Sequence, residues 1–464
     1  MFSHSNLLDV LTERMHRREI VLNLDTVERD YVRWYPTALE AFGEEDVQRA
    51  TPIKPFSTGL YVHIPYCDKK CSFCNYNVQI KNRNDASTRE TVRTYIRALK
   101  DHALHCKKLG WHENVRIDSL YMGGGTPSFL NAEELYDLIK FFRAEFDFVD
   151  GAEISIEGNP ISLDSEKVDA LAKAGTTRLS LGVQSFEPRL LEILGRGVTL
   201  EENIEALRLA KASSIPILNI DLIYRNPSQS TEELIDSIRI AHELGVNQVS
   251  LYPLWVRPKT EFHNAFVKQK LSLPTEDDEF RQLVSAQAEF KQRGYEQYNV
   301  FDFVDRRANT CVNTFLQWQD GEWIGIGPGA TSYFRGSFFI HTYDTAEYVK
   351  KIQRGEDTVN TGLTLTRQER MERTMIFGLR MFPFLKERFF GQYGERVESV
   401  FGDKLKWLED QGLLEQSARE IRLTARGIFH INGISKLFYS PSRKGSLQPL
   451  GRKKDGTLIL ERDL

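Results

Sequence analysis

Between residues 58 and 255, short apolar runs of strand length alternate with longer segments whose apolar residues recur every three or four positions. The runs are LYVHIP at 60–65, SLYM at 119–122, EISIEG at 153–158, RLSLGV at 178–183, ILNIDLIY at 217–224 and QVSLYPL at 248–254. Short runs rich in branched and aromatic residues predict buried strands; the intervening AEELYDLIKFFRAEF and TEELIDSIRIAHELG predict amphipathic helices. Such alternation implies parallel strands joined by right-handed crossovers. About six units, fewer than the eight of a closed barrel, predict an α/β fold built as a partial, open (β/α) barrel.

The pattern changes on either side. Residues 1–56 read as helix and loop, an N-terminal extension before a catalytic domain at 57–345. Within the latter, RGYEQYNVFDF and EWIGIGPGATSYF predict strands and a Gly-rich turn that close the sheet edge. From about 365, LTRQERMERTMIFGLRMF and ERVESVFGDKLKWLEDQGLLEQS predict helices. With the following IRLTARGIFHINGISKLF they suggest a small winged-helix-like domain over 360–440, and 441–464 reads as a basic, flexible tail.

Composition narrows the class. The chain has 464 residues, 41% hydrophobic and 27% charged, which suits a large domain with a smaller one appended. No apolar run approaches the roughly 18 residues of a membrane span. The first 20 residues interrupt every apolar stretch with charge, unlike a secretory signal, so a cytoplasmic protein is expected. A net charge of −4 with both signs interspersed argues against a nucleic-acid partner.

Three of the five cysteines, Cys67, Cys71 and Cys74, fall in HIPYCDKKCSFC, on a loop directly after the first strand. CxxxCxxC thiolates can take three corners of an iron–sulfur cubane and leave one iron open to a small chelating molecule. A zinc site with a fourth ligand elsewhere, or three simply packed cysteines, are the alternatives. Position at the end of the first strand of a βα series favours the cluster.

YVHIPYCDKKCSFC resembles the signature of the radical S-adenosylmethionine (SAM) superfamily, in its branch around oxygen-independent coproporphyrinogen III dehydrogenase and the heme chaperones. The likeness continues through YVRWYPTALEAF, GGGTPS, SIEGNP, RLSLGVQSF, NIDLIY and RLTARGIFHINGISKLF, nearly the whole chain. It implies one [4Fe–4S] cluster on the three cysteines, SAM as cofactor, and a reducing electron donor such as flavodoxin or ferredoxin. In such enzymes the SAM aminocarboxylate chelates the open iron, and reductive cleavage of the sulfonium releases a 5′-deoxyadenosyl radical.

Matching positions imply roles for individual residues. Gly123, Gly124, Gly125 and Thr126 resemble the turn whose backbone meets the methionine amino group, although a plain strand-to-helix turn would use glycine too. Glu157 and Gln184 end the third and fourth strands and face the barrel mouth. Arg196 matches a carboxylate-binding position and Asp221 one that accepts from the ribose hydroxyls, which suits a guanidinium fork and a carboxylate. Phe73 would cover the cluster and the adenine. Tyr61, and Ile326 in IGIGPGA, match the surroundings of a second SAM, so two cofactor molecules are expected.

Three departures stand out. Tyr76 occupies the place of a further cysteine in the coproporphyrinogen enzyme. Asn313, in TCVNTFLQW, replaces a histidine that the heme chaperones carry before the tryptophan, here Trp318. An amide is a poor ligand for heme iron. Cys311 nearby offers sulfur, or is a small buried hydrophobe. Arg225, Asn226 and Pro227 replace the usual GLP. Together these point to a class C radical methyltransferase acting on an sp² carbon of a small planar aromatic substrate, a menaquinone ring being preferred. Oxidative decarboxylation of coproporphyrinogen III and heme carriage are the alternatives. No catalytic side chain is assigned. Basic residues from Lys436 to Lys454 and the apolar MFPFLKERFFGQYG at 381–394 are where a peripheral membrane contact would form.

Overall fold

The six apolar runs pair side by side, in parallel and in sequence order, in a computed structural model that describes residues 35–36, 39–50, 57–268, 270–306, 310–440, 449–452 and 458–460. They are β1 (Thr58–Ile64), β2 (Ile117–Gly124), β3 (Phe148–Gly158), β4 (Arg178–Gln184), β5 (Ile217–Tyr224) and β6 (Gln248–Pro253). The crossovers carry α1 (Ala86–Lys108), α2 (Ala132–Glu145), α3 (Ser165–Ala174), α4 (Leu200–Ala212) and α5 (Thr231–Glu243). Asn131, Asp164, Thr199 and Ser230 cap the last four of these through their side chains, which is why each helix starts where it does. α2 turns Leu135, Leu138, Ile139 and Phe142 inward, the three- and four-residue spacing that the sequence shows.

After β6 come α6 (Glu261–Val267), α7 (Glu276–Gln292), β7 (Tyr295–Gln297), β8 (Asp302–Asp305), α8 (Val312–Trp318), β9 (Glu322–Ile326), β10 (Thr331–Phe334), β11 (Ser337–His341) and β12 (Val359–Thr364). The extended sequence after 293 was expected to close one edge; instead it lengthens the sheet at both ends. β8 and β7 add antiparallel beyond β6, whereas β9 lies parallel to β1 and is followed outward by β10, β11, β12 and a two-residue strand, Glu40–Ala41. α8 lies between these two halves of the sequence and packs on β2, β9 and β1. The result is an open sheet of 13 strands with a parallel centre, the partial barrel expected from the pattern.

A small domain follows α9 (Arg367–Gly378). α10 (Lys386–Tyr393), α11 (Val397–Asp410) and two short helices pack around an antiparallel sheet of β13 (Phe384–Leu385), β14 (Leu414–Gln416) and β15 (Glu420–Leu423), the winged-helix-like arrangement expected. Within 381–394, Phe384 and Phe389 are buried in this domain and Met381 is buried against Tyr298 and Val304 of the larger one, while Phe390 is 53% exposed. Most of that apolar stretch is therefore core. No helix among the described residues is long and apolar enough to cross a membrane. Residues 1–34 of the proposed extension and most of the basic tail lie outside the described residues.

Candidate active site

The carboxyl ends of β1–β5 open into a cavity of about 580 Å³. Parallel strands place their loops there, and residues of one parity along each strand face inward: Tyr61 and His63 on β1, Tyr121 on β2, Glu157 on β3, Ser180, Gly182 and Gln184 on β4, Asp221 on β5. Cys67, Cys71 and Cys74 line the same space. Of the residues predicted from the sequence, Tyr61, Phe73, Gly124, Gly125, Thr126, Glu157, Gln184, Arg196 and Asp221 join them on its wall. Ile326 does not: it ends β9 beside Val62 and is fully buried in the core.

The cysteine loop is held from three sides. Cys67 lies within 3.3 Å of Thr126 Oγ1, Arg196 donates to Cys71 Sγ at 3.1 Å, and Ser72 donates its backbone N–H to Leu194 O. Burial pushes the Cys67 thiol up to about 12, and raises Cys74 as well. Without added positive charge these thiols stay protonated; thiolate ligation needs the charge that iron would bring. No three Cys, His, Asp or Glu among the described residues converge tightly enough to hold a single metal ion. The set suits a cluster, which spreads its ligands over separate corners, better than one zinc ion.

Arg196 supplies the strongest sign of a missing partner. Its Nη2 donates to Gly182 O and to Asn159 Oδ1 at 3.3 Å, yet its buried Nε has no hydrogen-bond partner. A buried orphan donor beside the thiols fits a ligand carboxylate. Glu157 accepts from Tyr121 OH at 2.5 Å and from Gly124 N at 3.2 Å, and burial raises its pKa. Asp221 is raised to about 7, by burial first and then by the charge of Glu157.

The glycine run is explained by the protein itself. A Cβ on Gly123 would lie 2.8 Å from Glu157 Oε2, one on Gly124 2.4 Å from the His63 ring, and one on Gly125 2.8 Å from Ile64 O; Gly124 also has φ +110°. The turn fits closely against β1 and β3, so glycine is needed there whether or not a ligand approaches. Gln184, at φ +71°, is a non-glycine residue in the left-handed region at the strand end, a strained placement common at functional sites.

Sequence reasoning passed over His63, Tyr121, Ser180, Gly182, Gln317 and Tyr343, all on the cavity wall. Strand parity would have given the first four. Gln317 and Asn313 stand one turn apart on α8, whose start is fixed by Glu153: its carboxylate accepts from Val312 N at 3.0 Å and Asn313 N at 3.3 Å. Cys311 is buried against Glu153, away from the wall, and behaves as the small buried residue. Both nitrogens of His63 are engaged, by Tyr61 OH and Asn77 O, and burial lowers its pKa to about 4.

Comparison with known proteins now adds to the geometry. Residues 61–238 match the family model of the radical SAM superfamily, and 365–430 match the HemN C-terminal domain. The chain is 32% identical over 282 residues to the heme chaperone HemW of Mycobacterium tuberculosis, covering 61% of this chain and 70% of that protein. It is 28% identical over 447 residues to the oxygen-independent coproporphyrinogen III oxidase of Escherichia coli, covering 90% and 94% respectively. The solved structure of coproporphyrinogen III oxidase (HemN) from E. coli, described as a radical SAM enzyme, superimposes with a TM-score of 0.73 at 26% identity over 86% of this chain and 93% of that one.

These relatives overturn the expectation of methyl transfer to an aromatic or menaquinone ring, since they are a heme chaperone and a coproporphyrinogen oxidase. The structure removes one of its supports. Arg225 points away from the cavity, its guanidinium 2.6 Å from Glu279 on α7 and bonded to Leu254 O, while Asn226 holds Ile223 O. The changed loop ties β5 to α7 and is not on the cavity wall.

Proposed function

The chain belongs to the radical SAM superfamily, in the branch that ends in a HemN C-terminal domain, and from that premise we propose that it is an oxygen-independent oxidoreductase that decarboxylates a metal-free tetrapyrrole of the coproporphyrinogen III type. Membership brings a [4Fe–4S] cluster, SAM and the need for a one-electron reductant. Bound there, they supply a carbon radical able to take a hydrogen atom from an unactivated C–H bond.

The chain's own residues would do the holding. Cys67, Cys71 and Cys74 ligate the cluster, Arg196 Nε meets the SAM carboxylate, Asp221 accepts from the ribose hydroxyls, and Phe73 covers the adenine side. Glu157, fixed by Tyr121 and Gly124, presents its carboxylate to the same cofactor. Tyr61 borders the space for a second SAM.

The observation that carries the choice of a metal-free substrate is the rest of the cavity lining. It offers Asn313, Gln317, Tyr61 and Tyr343, with the lining histidine, His63, already bonded at both ring nitrogens. Amides and phenols recognise carboxylates and pyrrole N–H groups and are poor ligands for heme iron. The test is anaerobic turnover of reconstituted protein with SAM, reductant, an electron acceptor and coproporphyrinogen III. Carbon dioxide and 5′-deoxyadenosine are expected. A saturable Soret change on heme titration without decarboxylation would overturn the reading in favour of heme carriage.

A further inference from the structure

Two segments far apart in sequence meet beside the cysteine loop, and both are basic. Residues 67–83 hold Lys69, Lys70, Lys81 and Arg83 against one acid, Asp68; residues 255–271 hold Arg257, Lys259, Lys268 and Lys270 against one acid, Glu261. The fold joins them. Ser72 donates to Glu261 at 2.9 Å, Phe262 N donates to Ser72 O at 3.1 Å, and Phe73 packs into the apolar cluster that includes Phe262, Leu254 and Val256. α6 is thus seated directly on the loop between two of the three ligand cysteines.

Both acids, exposed themselves, are partnered within the same face, Glu261 by Ser72 at 2.9 Å and Asp68 by Arg83 at 3.0 Å. Five cations outnumber them: Lys69 and Lys70 are exposed at the cavity mouth, and Lys259, Lys268 and Lys270 are exposed away from its wall. Two large apolar side chains, Tyr76 and Val267, are also more than half exposed within the same segments. The chain as a whole carries −4, so this positive face stands against the overall charge. Charge of one sign rimming a few exposed apolar residues is the composition of a transient, electrostatically steered contact.

We infer that the surface formed by the Cys67–Cys74 loop and α6 is the docking face for an acidic one-electron carrier protein. This rests on the radical SAM reading but not on the identity of the substrate. In the step itself one electron leaves the reduced carrier and is accepted at the cysteine site; no bond is made or broken and no proton moves. The loop leads directly to that site, because its exposed Lys69 and Lys70 lie between Cys67 and Cys71.

The test uses the reconstituted full-length chain with flavodoxin as the acidic carrier and dithionite as a small reductant that needs no docking face. Lys259→Glu, Lys268→Glu and Lys270→Glu are combined; none of the three lines the cavity. Calorimetry with oxidised flavodoxin should show binding weakened at least ~10-fold at low salt. Stopped-flow reduction by reduced flavodoxin should slow by a similar factor and lose most of its salt dependence. Dithionite-driven 5′-deoxyadenosine formation should match the unsubstituted chain. The same number of reversals at Lys350→Glu, Lys406→Glu and Arg419→Glu, all exposed and elsewhere, should leave flavodoxin binding within twofold. Unchanged binding and salt dependence in the α6 variant, or an equal loss in the remote one, would overturn the docking face. Absence of 5′-deoxyadenosine from the unsubstituted chain with dithionite would instead sink the radical SAM reading.

Discussion

Asp221 is pulled two ways at the residue scale. Burial and the charge of Glu157 lift it to about 7, with Arg178 and Arg196 offsetting part of that. Its folded pKa thus lies above the ordinary value of about 4, so the folded state binds the extra proton. Stability must then fall as pH rises from about 4 to about 7 and stay flat above that. Asp221→Asn removes the penalty. Its Tm advantage over the unsubstituted chain should be near zero at pH 4, grow through the window, and reach at least about 2–4 °C at pH 8, by calorimetry of the two proteins side by side. The same substitution removes the proposed acceptor for the ribose hydroxyls, and equilibrium dialysis should show SAM binding weaker by ~1.5–3 kcal/mol. A stability gain independent of pH would mean that the carboxyl is not the cause. A gain in stability with a loss of binding is what a site held under strain for function predicts.

At the scale of single elements, α8 is the one whose position depends most on a distant side chain. Its seven residues are too few to hold a helix by themselves, and Glu153 from β3 satisfies two of its first N–H groups. Glu153→Gln keeps the size but turns a donor toward one of those N–H groups. Asn313 and Gln317 should then lose their register against the cavity. KM for the tetrapyrrole is expected to rise several-fold, with uncoupled 5′-deoxyadenosine formation unchanged; a fall in both would show a general loss of structure instead. This dependence also explains what the sequence concealed. The six parallel strands were legible because each is a short apolar run between helices with readable caps, Asn131, Thr199 and Ser230 among them. α8 was not, since TCVNTFLQW has no side-chain cap of its own and its cap lies 159 residues away in sequence. The edge strands were misjudged for a related reason: β7–β12 are three to six residues long, and pairing to opposite ends of one sheet is a property of the chain's path. Of the site, the cysteines and the strand-end acids could be read from motif and position. His63 and Tyr121 needed only the parity of β1 and β2, whereas Gln317 needed the position of α8.

The whole molecule is tied together across the domain boundary by Arg373 on α9. Its guanidinium lies 4.1 Å from the centre of the Tyr333 ring and 5.4 Å from that of Trp323, donates to Gln317 O at 3.0 Å, and pairs with Asp320 at 3.4 Å. One side chain thus joins the helix leading into the small domain to β9, β10 and the end of α8, the helix that puts Asn313 and Gln317 on the cavity wall. Both members of the ion pair are nearly inaccessible, with side-chain exposures of 3% and 8%. Burial holds Asp320 up to about 6 even with Arg373 beside it. Arg373→Met keeps a side chain over Tyr333 but strands a buried carboxylate, and removal of one partner of such a pair typically costs about 3–5 kcal/mol. Adding Asp320→Asn removes the stranded charge while keeping the shape, so the double variant should recover more than half of that loss in urea denaturation at pH 7.5. If the two variants are equally destabilised, the pair's charge is not what matters and the ring contacts of Arg373 carry the coupling. Recovery in the double variant with KM for the tetrapyrrole still raised would place the coupling in the bond from Arg373 to Gln317, the route by which the small domain reaches the cavity.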